Sequence, residues 1–298
     1  MDRGLSQVDG WSIAGYRFGW LELTGKCQLQ CVHCYADSGP SGDHGSMTAA
    51  DWRRVLDEAA GLGVGSIQFI GGEPTLHPAL PELLVHARRL GLAVEVYSNL
   101  VHISPELWDT LSRNEVRLAC SYYSDDPAEH ARITGRPGSH ARTRANIAEA
   151  VRREIPVRAG VIAIDDDQRV EQATAELADL GVHTIGMDRL RQVGRGIRDR
   201  QPSGGELCGR CGDGVFAVAA DGSVWPCVFS RWMPVGSVRT DSLATILSGP
   251  EMRSARDRLG LNLPDACVPS PCSPGCGPNC QPADCRPGCK PADCVPNW

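Results

Sequence analysis

Between residues 17 and 186 the chain alternates short apolar runs with segments of helical periodicity, and this alternation restricts the fold more than any other feature. Strand-like runs lie at 17–23, 66–70, 93–97, 116–121, 157–164 and 182–186. Helix-like segments lie at 49–62, 78–90, 105–112, 139–154 and 167–180. Thr48 is placed to cap the first helix, and Gly91 and Gly181 are placed to end two others. Units of this length join parallel strands by right-handed crossovers, which gives an α/β sheet. In such a fold ligand chemistry belongs at the C-terminal ends of the strands.

Two segments fall on that rim. After the first strand come Cys27, Cys31 and Cys34, spaced C-x3-C-x2-C. Three thiolates can hold three irons of a cubane [4Fe–4S] cluster and leave the fourth iron open to a small molecule. Zinc usually wants a fourth protein ligand in a closed tetrahedron, and only Asp37 and His44 are near enough in sequence to supply it. After the second strand comes Gly71-Gly72-Glu73-Pro74. Glycine lacks a Cβ and lets the backbone approach a ligand closely.

The cysteine loop and the Gly-Gly-Glu-Pro strand end, in this order, resemble the radical S-adenosylmethionine (SAM) superfamily. The resemblance implies a partial (β/α)6 TIM-like barrel over residues 1–196. It implies that SAM chelates the open iron through its methionine amine and carboxylate. Gly71, Gly72, Glu73 and Pro74 would then hold the methionine amino group. Tyr97-Ser98-Asn99 stands where relatives often carry Thr-Asn-Gly, and Ser121 stands where a polar residue commonly touches the SAM ribose. Ordinary strand-end polarity is the alternative for Ser98, Asn99 and Ser121. Relatives often continue Ser-Leu-Asp-Gly where this chain has Ser121-Tyr122-Tyr123-Ser124, so no role for that aspartate carries over. His33 packs or hydrogen-bonds within the loop and is not a ligand. Asp165, Asp166 and Asp167 are placed to cap the next helix.

The run Arg189 to Gly196, containing Val193-Gly194-Arg195, resembles the exit from the barrel in relatives with SPASM or twitch extensions. Residues 197–268 then read as such an extension. Cys208-x2-Cys211 leads to a strand at 215–219, a tight Asp221-Gly222 turn and Cys227, which completes a G-x4-C element. Cys208, Cys211, Cys227 and Cys267 form a ligand set for one auxiliary cluster, with zinc as the alternative.

The tail, 269–298, departs from the family pattern. Cys272, Cys276, Cys280, Cys285, Cys289 and Cys294 each begin a C-x-P unit, and the nine residues CQPADCRPG are followed by CKPADCVPN. With almost no apolar side chains, such a tail needs metal or cross-links to become ordered. It wraps a second auxiliary [4Fe–4S] cluster, binds a soft metal in a metallothionein-like manner, or serves as a thiol-rich arm.

Composition narrows the function further. The chain has 298 residues, 30 Lys+Arg against 36 Asp+Glu, and a net charge of −6, which argues against non-specific nucleic-acid binding. Only Lys26 and Lys290 are lysines. The first residues lack the apolar core of a signal peptide, and no run approaches the roughly 18 apolar residues of a membrane helix. Fourteen cysteines without an export signal point to metal clusters in a cytoplasmic protein.

The resemblance implies reductive cleavage of SAM to a 5′-deoxyadenosyl radical, which takes a hydrogen atom from the substrate. A flavodoxin- or ferredoxin-type donor would supply the electron. An auxiliary cluster would accept an electron in an oxidation, whereas a thiol returning hydrogen would give epimerisation. Cys120 is the donor candidate by position, with a small buried core residue as the plainer reading. Tyr122 and Asp188 are candidate proton handlers. Val228 stands where some SPASM enzymes carry a basic aspartate after the G-x4-C cysteine. The extension resembles peptide maturases most, so the expected substrate is a ribosomally made peptide. No winged-helix leader-binding domain is seen before the barrel, so a separate protein would recruit the peptide unless the barrel binds it directly. The alternative is a small molecule such as a sugar or aminoglycoside.

Overall fold

The computed structural model describes residues 15–199, 201–207 and 209–259. Six parallel strands form the expected open partial barrel: β1 (Phe18–Glu22), β2 (Ser66–Ile70), β3 (Ala93–Tyr97), β4 (Arg117–Tyr122), β5 (Val157–Ala163) and β6 (Thr184–Arg189). The strands run in the order β6-β5-β4-β3-β2-β1 and continue through β7 (Val215–Val218), β8 (Ser223–Trp225) and β9 (Gly236–Ser237). β7 pairs parallel with the free edge of β1, and β8 and β9 add antiparallel. The hairpin after the barrel is thus hydrogen-bonded to the strand that carries the cysteine loop.

One face of the sheet is covered by helices. Leu21, Phe69, Val96, Cys120, Tyr122 and Val161 point into that side and share one core with Trp52, Leu56 and Leu84. Full burial of each large aliphatic side chain stabilises the fold by about 1.5–3 kcal/mol. The other face, alternating in register, is polar. Trp20 pairs with Gln68, Gln68 with Glu95, and Tyr97 with Ala119. Gln68 donates to Glu95, and the Arg158 fork donates to the same carboxylate at 2.8 and 2.7 Å. This buried ion pair fills the lumen below the rim.

The helices form where their periodicity places them. Thr48 caps α1 (Ala49–Gly61) in a reciprocal box with Asp51. α2 (Leu80–Arg89) and α3 (Pro105–Arg113) follow β2 and β3. Two helices were not expected from the sequence pattern. The first is α4 (Pro127–Thr134), capped by Asp126 and ended by Gly135 in the left-handed region. It precedes α5 (Ser139–Arg152) and α6 (Val170–Asp179). The second is α8 (Pro250–Arg258), which follows α7 (Leu243–Ser248).

The acidic run behaves differently from the expectation. α6 starts only at Val170 with no side-chain cap, and Asp165 pairs with Arg132 at 2.9 Å. The Gln168 side chain occupies the turn instead. It donates to the Tyr123 and Ile162 carbonyls, each at 2.7 Å, and accepts the Ile164 N–H. This delays the helix by three residues.

Candidate functional site

The cysteine loop leaves β1 and returns to α1, and three outside segments brace it. The first is the end of β2. Gly72 and Glu73 donate their N–H groups to the Thr24 and Lys26 carbonyls at 2.6 and 2.8 Å. A Cβ on Gly71 would lie 2.7 Å from the Thr24 oxygen, and one on Gly72 would run into the Lys26 carbonyl. These glycines are required by the approach of β2 to the cysteine loop, a reason the sequence reading had assigned to ligand contact. The second brace is the C-terminal end of α4. Its Thr134 and Ile133 carbonyls accept from Gln30 and Val32, and Arg136 donates to the Gln28 carbonyl at 2.9 Å. The third is the turn at 193–196, described below.

Within the loop the three thiols are close enough to feel one another. Burial pushes Cys27 and Cys31 up to about 12. Ionised thiolates at such a place need a strong local cation, which a metal cluster supplies. Donors already point at the sulfur of Cys27: the Leu29 N–H at 3.4 Å and the Asn99 amide at 3.6 Å. N–H donors of this kind stabilise cluster-bound sulfur. Among the described residues, no three His, Cys, Asp or Glu side chains converge as a single-ion site would. His44 and Asp37, the possible fourth zinc ligands, are turned to Thr24 and Arg195. Three thiols in one loop, with N–H donors on the Cys27 sulfur, are a donor set that fits a cubane cluster with one open iron. His33 packs edge-on against Tyr123 with 5.0 Å between ring centroids. Its Nδ1 is buried without a protein partner.

Glu73 is fully buried and links the strand ends. Its Oε1 accepts from Thr75 N–H at 3.1 Å and from the Thr75 and Ser98 hydroxyls, each at 2.8 Å; its Oε2 accepts from Asn99 N–H at 2.8 Å. Asn99 is thereby brought beside Cys27, and Ser98 is held at the same strand end. Pro74 opens a short 3₁₀ turn that ends the segment. Ser121 lies on the lumen side of β4, 3.0 Å from the Tyr97 hydroxyl.

Strand parity separates the other candidates. Cys120 and Tyr122 point away from the lumen into the helix-packed core. Cys120 is completely buried there, and burial pushes its thiol up to about 12. The Tyr122 hydroxyl donates to Glu176 on α6 at 2.6 Å, and Glu176 also binds His140 and Arg144. Both side chains are completely buried on the helix side of the sheet, away from the lumen where the expectation had put them. Tyr123 has the opposite parity and lies among Cys31, Cys34, Tyr97 and Ser121. Tyr35 lies among Glu22, Arg231, Cys34 and Tyr97. Burial raises all three of Tyr35, Tyr97 and Tyr123, so they remain neutral hydroxyls around the thiols. The sequence reading missed this group, although Ser121 on the lumen side already assigns parity to Tyr123.

Asp188 does face the lumen side, in register with Ile162, and is held by Arg191 at 2.7 Å. Opposite it, Glu22 takes both nitrogens of the Arg231 fork at 2.5 and 3.1 Å, and that guanidinium lies 4.4 Å above the Trp225 ring. Arg231 follows the hairpin of β7 and β8, so this pair ties the segment after the barrel to the barrel mouth. Cys211 and Cys227 are both buried with their sulfurs 2.8 Å apart. Burial opposes ionisation of Cys227, but hydrogen bonds from Cys211 and the Phe229–Ser230 segment outweigh it and lower its pKa. The other auxiliary-ligand candidates, Cys208, Cys267, Cys272, Cys276, Cys280, Cys285, Cys289 and Cys294, lie outside the described residues. No described helix is long and apolar enough to cross a membrane.

Comparison with known proteins agrees with this geometry. The radical SAM superfamily model matches residues 21–187, and the model of the SPASM iron–sulfur cluster-binding domain matches residues 197–281. A PqqA peptide cyclase from Xanthomonas campestris pv. campestris is 33% identical over 186 residues, 60% of this chain and 48% of that protein. The chain thus spans about half the length of the curated relatives it matches. Among solved structures, Streptococcus suis SuiB bound to S-adenosylmethionine is similar in fold. Its TM-score is 0.68 at 15% identity, covering 82% of this chain and 68% of that one. The anSMEcpe structure with bound AdoMet and the Cp18Cys peptide gives a TM-score of 0.63 at 13% identity, covering 80% and 81%. With its three-cysteine loop, its Gly-Gly-Glu-Pro strand end and these two matched models, the chain belongs to the radical SAM superfamily and carries a SPASM iron–sulfur cluster-binding domain.

Proposed function

We propose that the chain modifies a ribosomally made peptide by radical chemistry, as an oxidation, a crosslink or an epimerisation. The observation that carries the radical part is the loop of Cys27, Cys31 and Cys34, of which Cys27 is buried and the other two half-buried, braced by Gly72 and by Asn99 at the strand ends. The naming of 33%-identical relatives as peptide cyclases supports the peptide part. Cys27, Cys31 and Cys34 would hold three irons, with SAM against Gly71 to Pro74, Ser98, Asn99 and Ser121. The chemistry supplied there when the cofactors are bound is one-electron cleavage of SAM and removal of a hydrogen atom from a substrate carbon.

The protein's own groups set the surroundings. Tyr35, Tyr97 and Tyr123 offer neutral hydroxyls to orient a substrate without adding charge. The Glu22–Arg231 pair closes one side of the mouth and limits entry of water. Asp188, paired with Arg191 at 2.7 Å, is the candidate proton acceptor at the opposite side. Cys211 and Cys227, with Cys208 and Cys267, would hold one auxiliary cluster, and the tail cysteines a second. The barrel comprises residues 1–196, the auxiliary domain 197–268 and the cysteine–proline tail 269–298. A flavodoxin- or ferredoxin-type donor in the cytoplasm supplies the electron, and the peptide is bound by the barrel itself or presented by a separate protein.

The anaerobically reconstituted chain, given SAM and dithionite, should form 5′-deoxyadenosine. Formation should rise with short peptides encoded beside it, with loss of two hydrogen atoms from the peptide or inversion at one carbon. Absence of 5′-deoxyadenosine would refute the radical reading. Stimulation by a sugar or aminoglycoside and by no peptide would refute the peptide reading. Three four-iron clusters correspond to roughly 12 irons per chain, falling to about 8 after truncation behind Cys267.

A further inference from the structure

The turn that leaves β6 does more than connect the barrel to the auxiliary domain. Arg195 reaches back into the cysteine loop and binds it at four places. Its main-chain N–H donates to the Cys34 carbonyl at 2.9 Å, and its Nε donates to the Cys31 carbonyl at 2.9 Å. One Nη donates to the Ser38 carbonyl at 2.6 Å, and the other pairs with Asp37 at 2.8 Å. The preceding residue must be glycine. Gly194 has φ +58°, and a Cβ there would lie 2.5 Å from the Cys34 oxygen and run into the Tyr35 carbonyl. Asp37 itself sits at φ 53°, an uncommon conformation for a non-glycine residue, directly under the guanidinium.

We infer that Arg195 is a positioning residue that latches the loop carrying Cys31 and Cys34, so that its three thiols keep the spacing one cluster needs. The inference rests on the iron–sulfur reading of that loop. A guanidinium suits the task because its planar fork satisfies two carbonyls and a carboxylate at once and never loses its charge. Lysine keeps the charge but cannot make the fork. Because Arg195 lies two residues before the matched SPASM domain begins, the latch also couples that domain's origin to the cluster loop.

The test uses the full chain, anaerobically reconstituted, as wild type and as Arg195→Lys, Arg195→Gln, Gly194→Ala and Asp37→Asn. Iron release to a chelator is followed with time. The midpoint potential of the SAM-site cluster is read by EPR-monitored titration, and melting of the iron-free proteins controls for folding. Arg195→Lys and Arg195→Gln should release iron at least tenfold faster while the iron-free proteins melt with the wild type. Gly194→Ala should release iron faster as well. Asp37→Asn, which keeps both carbonyl contacts, should stay within about twofold of wild type. Loss of the positive charge in Arg195→Gln should lower the potential by the equivalent of a tenfold change, about 59 mV for one electron, and Arg195→Lys should not. Wild-type release rates and potential in Arg195→Gln would overturn the latch alone. A wild-type chain holding no cluster at Cys27, Cys31 and Cys34 would overturn the iron–sulfur reading and the latch with it.

Discussion

The Glu73 carboxylate at the end of β2 accepts the main-chain N–H of Asn99 just past the end of β3, at 2.8 Å. One buried side chain thereby sets the spacing between two strand ends and places the Asn99 amide 3.6 Å from the Cys27 sulfur.

Glu73→Gln tests that arrangement. The carboxylate accepts four hydrogen bonds from Thr75, Ser98 and Asn99. An amide would turn a donor toward at least one of these N–H or O–H groups. The mismatch should cost about 1–3 kcal/mol, measured as a shift in the urea midpoint of the iron-free protein. Iron loading should fall in parallel, because the Asn99 contact to Cys27 moves with the strand end. A glutamine variant with wild-type stability and loading would show that Glu73 is not the link.

Acid should weaken the fold through two buried histidines. His77 Nδ1 accepts the Ala79 N–H at 3.2 Å, a bond that only the neutral ring can accept. His130 sits among Tyr122, Tyr123, Ser139 and His140, with its Nε2 unpartnered. Burial lowers both rings to about 4. The unfolded chain therefore binds more protons than the folded one between about pH 6.5 and 4. Stability is full above that window and falls as pH drops through it. Between about pH 7.5 and 5 the loss should be about 2 kcal/mol per histidine, by urea unfolding of the iron-free protein. His77→Gln should flatten the pH dependence by about half of this joint effect.

Much of the barrel was legible because each strand–helix unit carries its own periodicity and punctuation. The residues that choose a face of the sheet were harder to read. On β4, Ala119 and Ser121 on the lumen face are small and Cys120 and Tyr122 on the other face are amphipathic, so polarity does not mark its two sides. Cys120 and Tyr122 were accordingly placed with the chemistry, while Tyr123 was passed over. α4 was missed because eight residues with Ile133 as the single large apolar side chain barely show a period, although Asp126, Pro127 and Gly135 mark both its ends. The Arg195 contacts span 157 to 164 positions, and no local pattern announces them.

Phenylalanine substitutions in the paired tyrosines should separate stability from chemistry. Tyr122→Phe removes the 2.6 Å bond to Glu176 and should cost about 2 kcal/mol in urea unfolding, with little change in 5′-deoxyadenosine formation per iron. Tyr123→Phe should leave stability nearly unchanged and reduce substrate-dependent turnover severalfold, since its hydroxyl lies beside Ser121 near Cys31 and Cys34. The reverse pattern would mean that β4 presents its other face to the substrate.

The joint between barrel and extension should depend on Glu22 and Arg231. Glu22 ends β1 and is almost completely buried, while Arg231 is partly open and stacked on Trp225. Removing the arginine leaves a desolvated carboxylate without a counter-charge. Arg231→Ala should therefore destabilise the iron-free protein by about 3 kcal/mol, near the lower end for breaking a buried pair. Glu22→Gln should cost less, because the freed guanidinium keeps its ring contact and can reach water. If the two groups act as a pair, the double variant Glu22→Gln/Arg231→Ala should be more stable than the sum of the single losses allows, by at least about 1.5 kcal/mol. Strict additivity would mean that Glu22 and Arg231 do not stabilise this joint as a pair.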